Sequence, residues 1–189
     1  MRIGFYIIPA LWLAWGLYWI VAGRNVKAAR RTDSRLSRAL YVIPIFAAVM
    51  LFFFRRLWGG WLSERFLPWS IDIYWTGVLV LVAGLVFAVW ARRTIGRNWS
   101  GTVMPKEDHE LIRSGPYRLV RHPIYTGILL GFVGTAIALG QWRGLIALAL
   151  VTVSFVYKLR IEERFMTEAF PDQYPAYRAK TARLIPFVY

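Results

Sequence analysis

Five apolar runs, each closed by charged residues or a tight turn, divide the chain. Ile3–Ala22 lies between Arg2 and Arg24, Ala39–Phe54 stops at Arg55 and Arg56, and Ile71–Ala91 stops at Arg92 and Arg93. Ile124–Leu139 and Trp142–Tyr157 are separated only by Gly140–Gln141. A helix needs roughly 20 apolar residues, about 17–25, to cross a bilayer. Each run is therefore predicted to be a transmembrane helix, with the last two forming a hairpin. The first run is too long and too rich in Trp for a signal-peptide core, and no A-x-A-like cleavage site follows it. Leu57–Trp69 mixes Trp58, Trp61 and Trp69 with Glu64 and Arg65, a blend expected at a membrane interface. The fold class these patterns predict is all-α: a polytopic membrane helix bundle of about five transmembrane helices.

Composition sharpens this picture. The 189 residues are 58% hydrophobic, above the roughly 45–50% of soluble domains. That excess excludes an ordinary soluble globule, and the aromatic content excludes a disordered chain. The formal net charge is +14. The basic residues sit between apolar runs, so they point to anionic lipid headgroups and membrane topology, not to nucleic acid. Of the 24 basic residues, all but Arg2, Arg55, Arg56, Arg65 and Arg143 fall in the segments 23–38, 92–122 and after Tyr157. With five spans, the positive-inside rule places these segments in the cytoplasm, the N-terminus outside and the C-terminus inside. The absence of Cys excludes a disulfide framework, a zinc-thiolate site and a cysteine nucleophile. The length fits one membrane domain over 1–189, with N-terminal spans in 1–94 and the last two spans with the polar segments that flank them in 95–189.

Two polar segments flank the hairpin, Gly96–Gly127 and Lys158–Pro186. They must emerge on the same side, where they can build one pocket. In Arg121-His122-Pro123, Pro suits the first helical position, so His122 sits near the N-cap of the fourth span with Arg121 just outside. A helix N-terminus beside an Arg suits a carboxylate or phosphate; an interfacial Arg with a helix-start Pro is the plainer alternative. Glu162-Glu163 directly follow the fifth span. Ionised acids at membrane depth are costly and usually functional, and at a helix C-terminus they would face an unfavourable dipole. A surface pair of Lys158 with Glu162 is the competing explanation. Gly127, Gly131 and Gly134 form a small-residue stripe expected to pack against the third or fifth span. His109 lies in a mixed loop, and with only His122 as a second His no metal site is expected. No phosphate-binding loop, dinucleotide fingerprint or nucleophile elbow occurs.

Taken in order, RLVRHPIYTG, a short hairpin, EE, then F-x-x-x-Y-x-x-Y and R-L-x-P resemble the isoprenylcysteine carboxyl methyltransferase family. That family is similar to a wider group of integral-membrane methyltransferases, which includes the phospholipid N-methyltransferases. The likeness runs from Ile95 to the C-terminus, and the five-span form resembles prokaryotic members, implying a bacterial or archaeal cytoplasmic membrane. It implies S-adenosyl-L-methionine as methyl donor, bound on the cytoplasmic side within 95–189. The implied cofactor-binding residues are Tyr117, Arg121, His122, Pro123, Tyr125, Glu162 and Glu163, and the implied catalytic residues are Arg121 and Glu163. Lys158 stands where relatives often carry Arg. Either Glu could meet the ribose hydroxyls or the ammonium of the donor, and Tyr117, Tyr125 or Tyr177 could pack on adenine and sulfonium. The implied acceptor is a lipophilic carboxylate, isoprenylcysteine-like, which Arg121 would orient. A phospholipid amine is the alternative; it would have to lose a proton, to a base such as Glu163. Two further readings are an NADPH-dependent sterol-type reductase, whose R-H-P-x-Y-x-G-like segment is comparable, and a non-enzymatic carrier or scaffold.

Overall fold

A computed structural model of the chain describes residues 4–24, 34–54, 58–99 and 111–188. The loop that holds His109 lies outside the described residues. Six α-helices occur among the described residues: α1 (Gly4–Ala22), α2 (Arg35–Phe53), α3 (Ile71–Ile95), α4 (Pro123–Leu139), α5 (Trp142–Ala169) and α6 (Tyr174–Lys180). Short 3-10 turns occupy Gly60–Ser63, Gly96–Asn98 and Gly115–Arg118. The bundle is all-helical in its spans, as the hydrophobic pattern predicts. α2, α3 and α5 are long and apolar enough to cross a membrane, and α1 and α4 are shorter apolar helices. Their outward faces carry exposed Leu13, Leu17, Ile20, Ile43, Leu79, Val86 and Val153. So much exposed apolar surface marks a lipid-facing belt.

Helix limits differ from the apolar runs in two places. α2 begins at Arg35, because Ser34 accepts a hydrogen bond from the Ser37 N–H and caps the helix before its apolar stretch starts. α5 continues beyond Tyr157 to Ala169. Glu162 and Glu163 therefore lie inside a helix that projects past its apolar part, away from the unfavourable C-terminal carbonyls.

The α3–α4 pair is the densest seam. Here the glycine stripe packs against α3, not α5. A Cβ on Gly84 would stand 2.5 Å from the Gly127 oxygen, and one on Gly77 2.6 Å from the Gly134 oxygen. Small residues at both sides let the two backbones touch. Gly131 faces the Trp12 ring instead, and Trp12 donates its indole N–H to the Thr135 hydroxyl at 3.0 Å.

The turn joining α4 to α5 is fixed from outside. Gly140 adopts a left-handed φ of 59° and returns its N–H to the Ala136 carbonyl at 2.8 Å. Such a helix end favours Gly. Arg65 binds the Leu139 carbonyl at 2.9 Å, and the Phe66 N–H binds the Gly140 carbonyl at 2.9 Å. Arg143, expected on this outer side, is buried. It donates to the Leu51 and Phe52 carbonyls at 2.6 and 3.0 Å and ties α5 to the end of α2.

Candidate active site

At the opposite end the two polar segments meet. Residues 120–126 and the C-terminal tail run side by side. The Arg121 N–H binds the Ala182 carbonyl at 2.8 Å, the His122 N–H binds the Arg183 carbonyl at 3.2 Å, and the Thr126 hydroxyl binds the Leu184 carbonyl at 2.7 Å. The Tyr177 hydroxyl of α6 reaches the Tyr117 carbonyl at 2.6 Å. Arg92 seals the neighbouring corner, donating to the Ala22 and Gly96 carbonyls at 2.5 and 2.7 Å while stacking over Trp99.

Glu163 is the hub of this end. It is 4% exposed. Its carboxylate takes the Arg121 guanidinium at 2.9 Å, Arg183 Nη2 at 2.6 Å and His122 Nε2 at 3.2 Å. Burial alone would raise the Glu163 pKa. Hydrogen bonds from His122 and Arg183, reinforced by the charges of His122 and Arg121, overcome that and hold it at about 2. The remaining donors of Arg121 are also committed: Nη1 binds the Thr181 and Arg178 carbonyls. Arg121 and Glu163, the implied catalytic pair, thus hold each other and the tail.

Glu162 faces a different way. Adjacent residues on an α-helix point about 100° apart. Glu162 lines a cavity, receives the Tyr125 hydroxyl in a short hydrogen bond, and lies 3.6 Å from His122 Nδ1 and 3.9 Å from Lys158 Nζ. The Lys158–Glu162 pair is therefore real, but it stands in a cavity wall and not on a solvated surface. His122 bridges the two acids, one with each ring nitrogen.

The cavity holds about 800 Å³, inside the roughly 300–1,000 Å³ range of small-molecule sites. Its two ends differ in chemistry. Toward the tail it is walled by Tyr117, Arg121, His122, Glu162, Tyr174 and Tyr177. Toward the bundle it is walled by Trp12, Phe52, Phe132, Val151 and Phe155. Phe132 anchors that apolar end, with Trp12 at 5.2 Å and Phe52 at 4.9 Å between ring centroids. Burial pushes the Tyr117 and Tyr174 phenols up and Tyr177 up to about 12, so all three remain neutral donors at physiological pH. The Tyr174 hydroxyl is buried beside Arg121.

Of the implied shell, Tyr117, Arg121, His122, Pro123, Tyr125 and Glu162 all line this cavity, while Glu163 backs it from behind. Arg183, Tyr174 and the α1 tryptophans had no role assigned from sequence. The R-L-x-P end of the chain was the available signal for Arg183; nothing local marks Trp12 as a cavity wall.

A family model for phospholipid methyltransferases matches residues 73–173. A probable protein-S-isoprenylcysteine O-methyltransferase of Oryza sativa subsp. indica is 32% identical over 134 residues, covering 67% of this chain and 70% of the rice protein. The protein-S-isoprenylcysteine O-methyltransferase of Saccharomyces cerevisiae is 31% identical over 115 residues, covering 59% of this chain and 48% of the yeast protein. A solved eukaryotic intramembrane Ras methyltransferase, isoprenylcysteine carboxyl methyltransferase, superposes with a TM-score of 0.54 at 26% identity. That match covers 81% of this chain and 52% of the solved one; the chain spans about half the length of that structure and of the yeast protein. Bundle, cavity and likenesses together define an integral-membrane methyltransferase. More narrowly, the chain belongs to the isoprenylcysteine carboxyl methyltransferase family, within the wider phospholipid methyltransferase family.

Proposed function

We propose that this protein transfers a methyl group from S-adenosyl-L-methionine to the carboxylate of an isoprenylcysteine-like lipophilic acceptor. The observation that carries this reading is the two-ended cavity: acid, imidazole and phenols at one end, aromatic hydrocarbon at the other. The residues fit the donor. Glu162 offers a carboxylate to its ammonium or ribose hydroxyls, Tyr117 and Tyr177 offer ring faces, and the Tyr174 phenol also lines the donor end. When bound, the donor supplies an electrophilic methyl on a sulfonium and leaves as a neutral thioether.

The protein's share is alignment and exclusion of water. The attacking carboxylate oxygen needs no general base. The Arg121–Glu163–Arg183 knot positions His122 and the tail around the donor. Tyr125 and His122 fix Glu162 in the wall. Residues 95–189 carry the donor end, and α1 and α2, within 1–94, supply much of the wall for the lipid tail. Most basic residues fall, by sequence, in the segments 23–38, 92–122 and after Tyr157, which favours a cytoplasmic site with the N-terminus outside in a prokaryotic inner membrane. An amine acceptor is disfavoured because Glu163, the base named for it, stands behind the cavity wall with its carboxylate taken by Arg121, His122 and Arg183.

The test uses radiolabelled donor with the protein in lipid nanodiscs, offering a farnesylated N-acetylcysteine and total lipid extract in parallel. Label is expected on the cysteine derivative and released as methanol by mild alkali. Label found only on alkali-stable amine headgroups would instead assign phospholipid N-methylation.

A further inference from the structure

Among the described residues, an Arg and a Lys line the cavity, Arg121 and Lys158. Arg121 has spent its donors on Glu163 and two carbonyls. Lys158 has not. Its side chain is 15% exposed, and it is paired with the Glu162 carboxylate at 3.9 Å, beyond hydrogen-bond distance. Among the described residues its ammonium makes no hydrogen bond. It lies instead over two phenol faces, 5.1 Å from the Tyr41 centroid and 5.6 Å from the Tyr125 centroid.

An ammonium has three donors. Facing the cavity with none of the three engaged by the described residues, it can take an acceptor from a bound molecule. Aromatic faces and a distant carboxylate compensate the charge but leave the N–H groups open. The position along α5 also matters. Phe155 and Val151 precede Lys158 on the cavity side, and Glu162 follows it one turn later. Lys158 therefore stands at the junction where hydrocarbon wall gives way to polar wall. A molecule with an apolar tail and a terminal anion would place that anion here.

Resting on the carboxyl-transfer reading above, we propose that Lys158 is the anion subsite for the acceptor: its Nζ binds the carboxylate of the lipophilic substrate and sets the preference for acids over neutral or cationic acceptors. Glu162 remains free to serve the donor, and Arg121 remains structural. A bound donor also carries a carboxylate, so the test separates the two sources.

The test measures binding. Trp12, Trp15 and Trp19 line the cavity, so intrinsic fluorescence in nanodiscs reports occupancy. The probes are farnesylated N-acetylcysteine and its primary amide, which differ only in charge at the acceptor group. Wild type should bind the acid at least about tenfold more tightly than the amide, the factor expected from one charge-assisted contact. Lys158→Gln should bind both alike, and Lys158→Arg should keep the acid preference. S-adenosylhomocysteine affinity by calorimetry should stay at the wild-type value in both variants, which also reports that they are folded. Equal binding of acid and amide by wild type would overturn the proposal, even if Lys158→Gln failed to fold. So would an acid preference that survives Lys158→Gln, or a loss of S-adenosylhomocysteine affinity in place of acceptor discrimination. A wild type that prefers the acid yet transfers no methyl group would refute the proposed function and leave the subsite standing.

Discussion

The two faces of α4 do opposite work. One face meets α3 through Gly127 and Gly134, so closely that a single added carbon would meet backbone atoms. The other carries Tyr125 and Phe132 into an open cavity of about 800 Å³. Close backbone contact makes a rigid reference plane; the site is then built from large side chains standing off it. The same division recurs one residue apart on α5, where Glu163 is locked among cations and Glu162 faces the cavity. Rigid scaffold and reactive surface are thus assigned by helical phase, not by separate segments.

The largest effect is expected when the locked side is broken. Glu163→Ala leaves the buried Arg121 guanidinium without its carboxylate and should destabilise the protein by about 3–5 kcal/mol. Unfolding in detergent, followed by circular dichroism, measures it; a variant with wild-type stability would show the knot to be dispensable. Next comes the seam. Gly134→Ala drives a Cβ into the Leu81 and Gly77 backbone and should cost at least about 1–3 kcal/mol as overpacking. The matching change at Gly16, which has open space around it, should cost little in the same assay.

A pH series sharpens the contrast between the acids. The Glu163 carboxyl falls from 4.5 to about 2 on folding. Its contribution is therefore complete above about 4.5 and is lost as pH falls through about 2, because the folded state binds its proton later than the unfolded state. Wild-type stability should drop across that window more steeply than that of Glu163→Gln. Parallel curves would argue that the knot carries no titration linkage. The smallest effect on folding is expected at Glu162→Gln. Glu162 keeps a partly open setting, so its loss should be seen in ligand affinity and hardly in the melting profile.

Much of this was legible in the chain. The apolar runs gave the helices because the bilayer imposes a length and a backbone rule that few sequences satisfy by accident. Arg121-His122-Pro123 and Glu162-Glu163 pointed to the end of the bundle where the cavity wall turns polar, because charge at a span end is rarely idle. Three things were hidden. The apolar boundary at Tyr157 does not end α5, since helix continuity depends on packing against the tail as well as on hydropathy. Which acid faces the cavity depends on the rotation of α5 against α4, a tertiary quantity. The partner of the glycine stripe depends on the matching small residues Gly77 and Gly84 of α3, which are individually unremarkable. By contrast, the Lys158–Glu162 spacing did place both on one face, and only the nature of that face was missing.

The most direct test of the central claim is calorimetric titration of S-adenosylhomocysteine into wild type and Glu162→Gln in nanodiscs, with melting recorded on the same samples. The account expects an unchanged melting profile with affinity reduced at least about tenfold, as for loss of a charged hydrogen-bond partner. Wild-type affinity in a folded Glu162→Gln protein would contradict it.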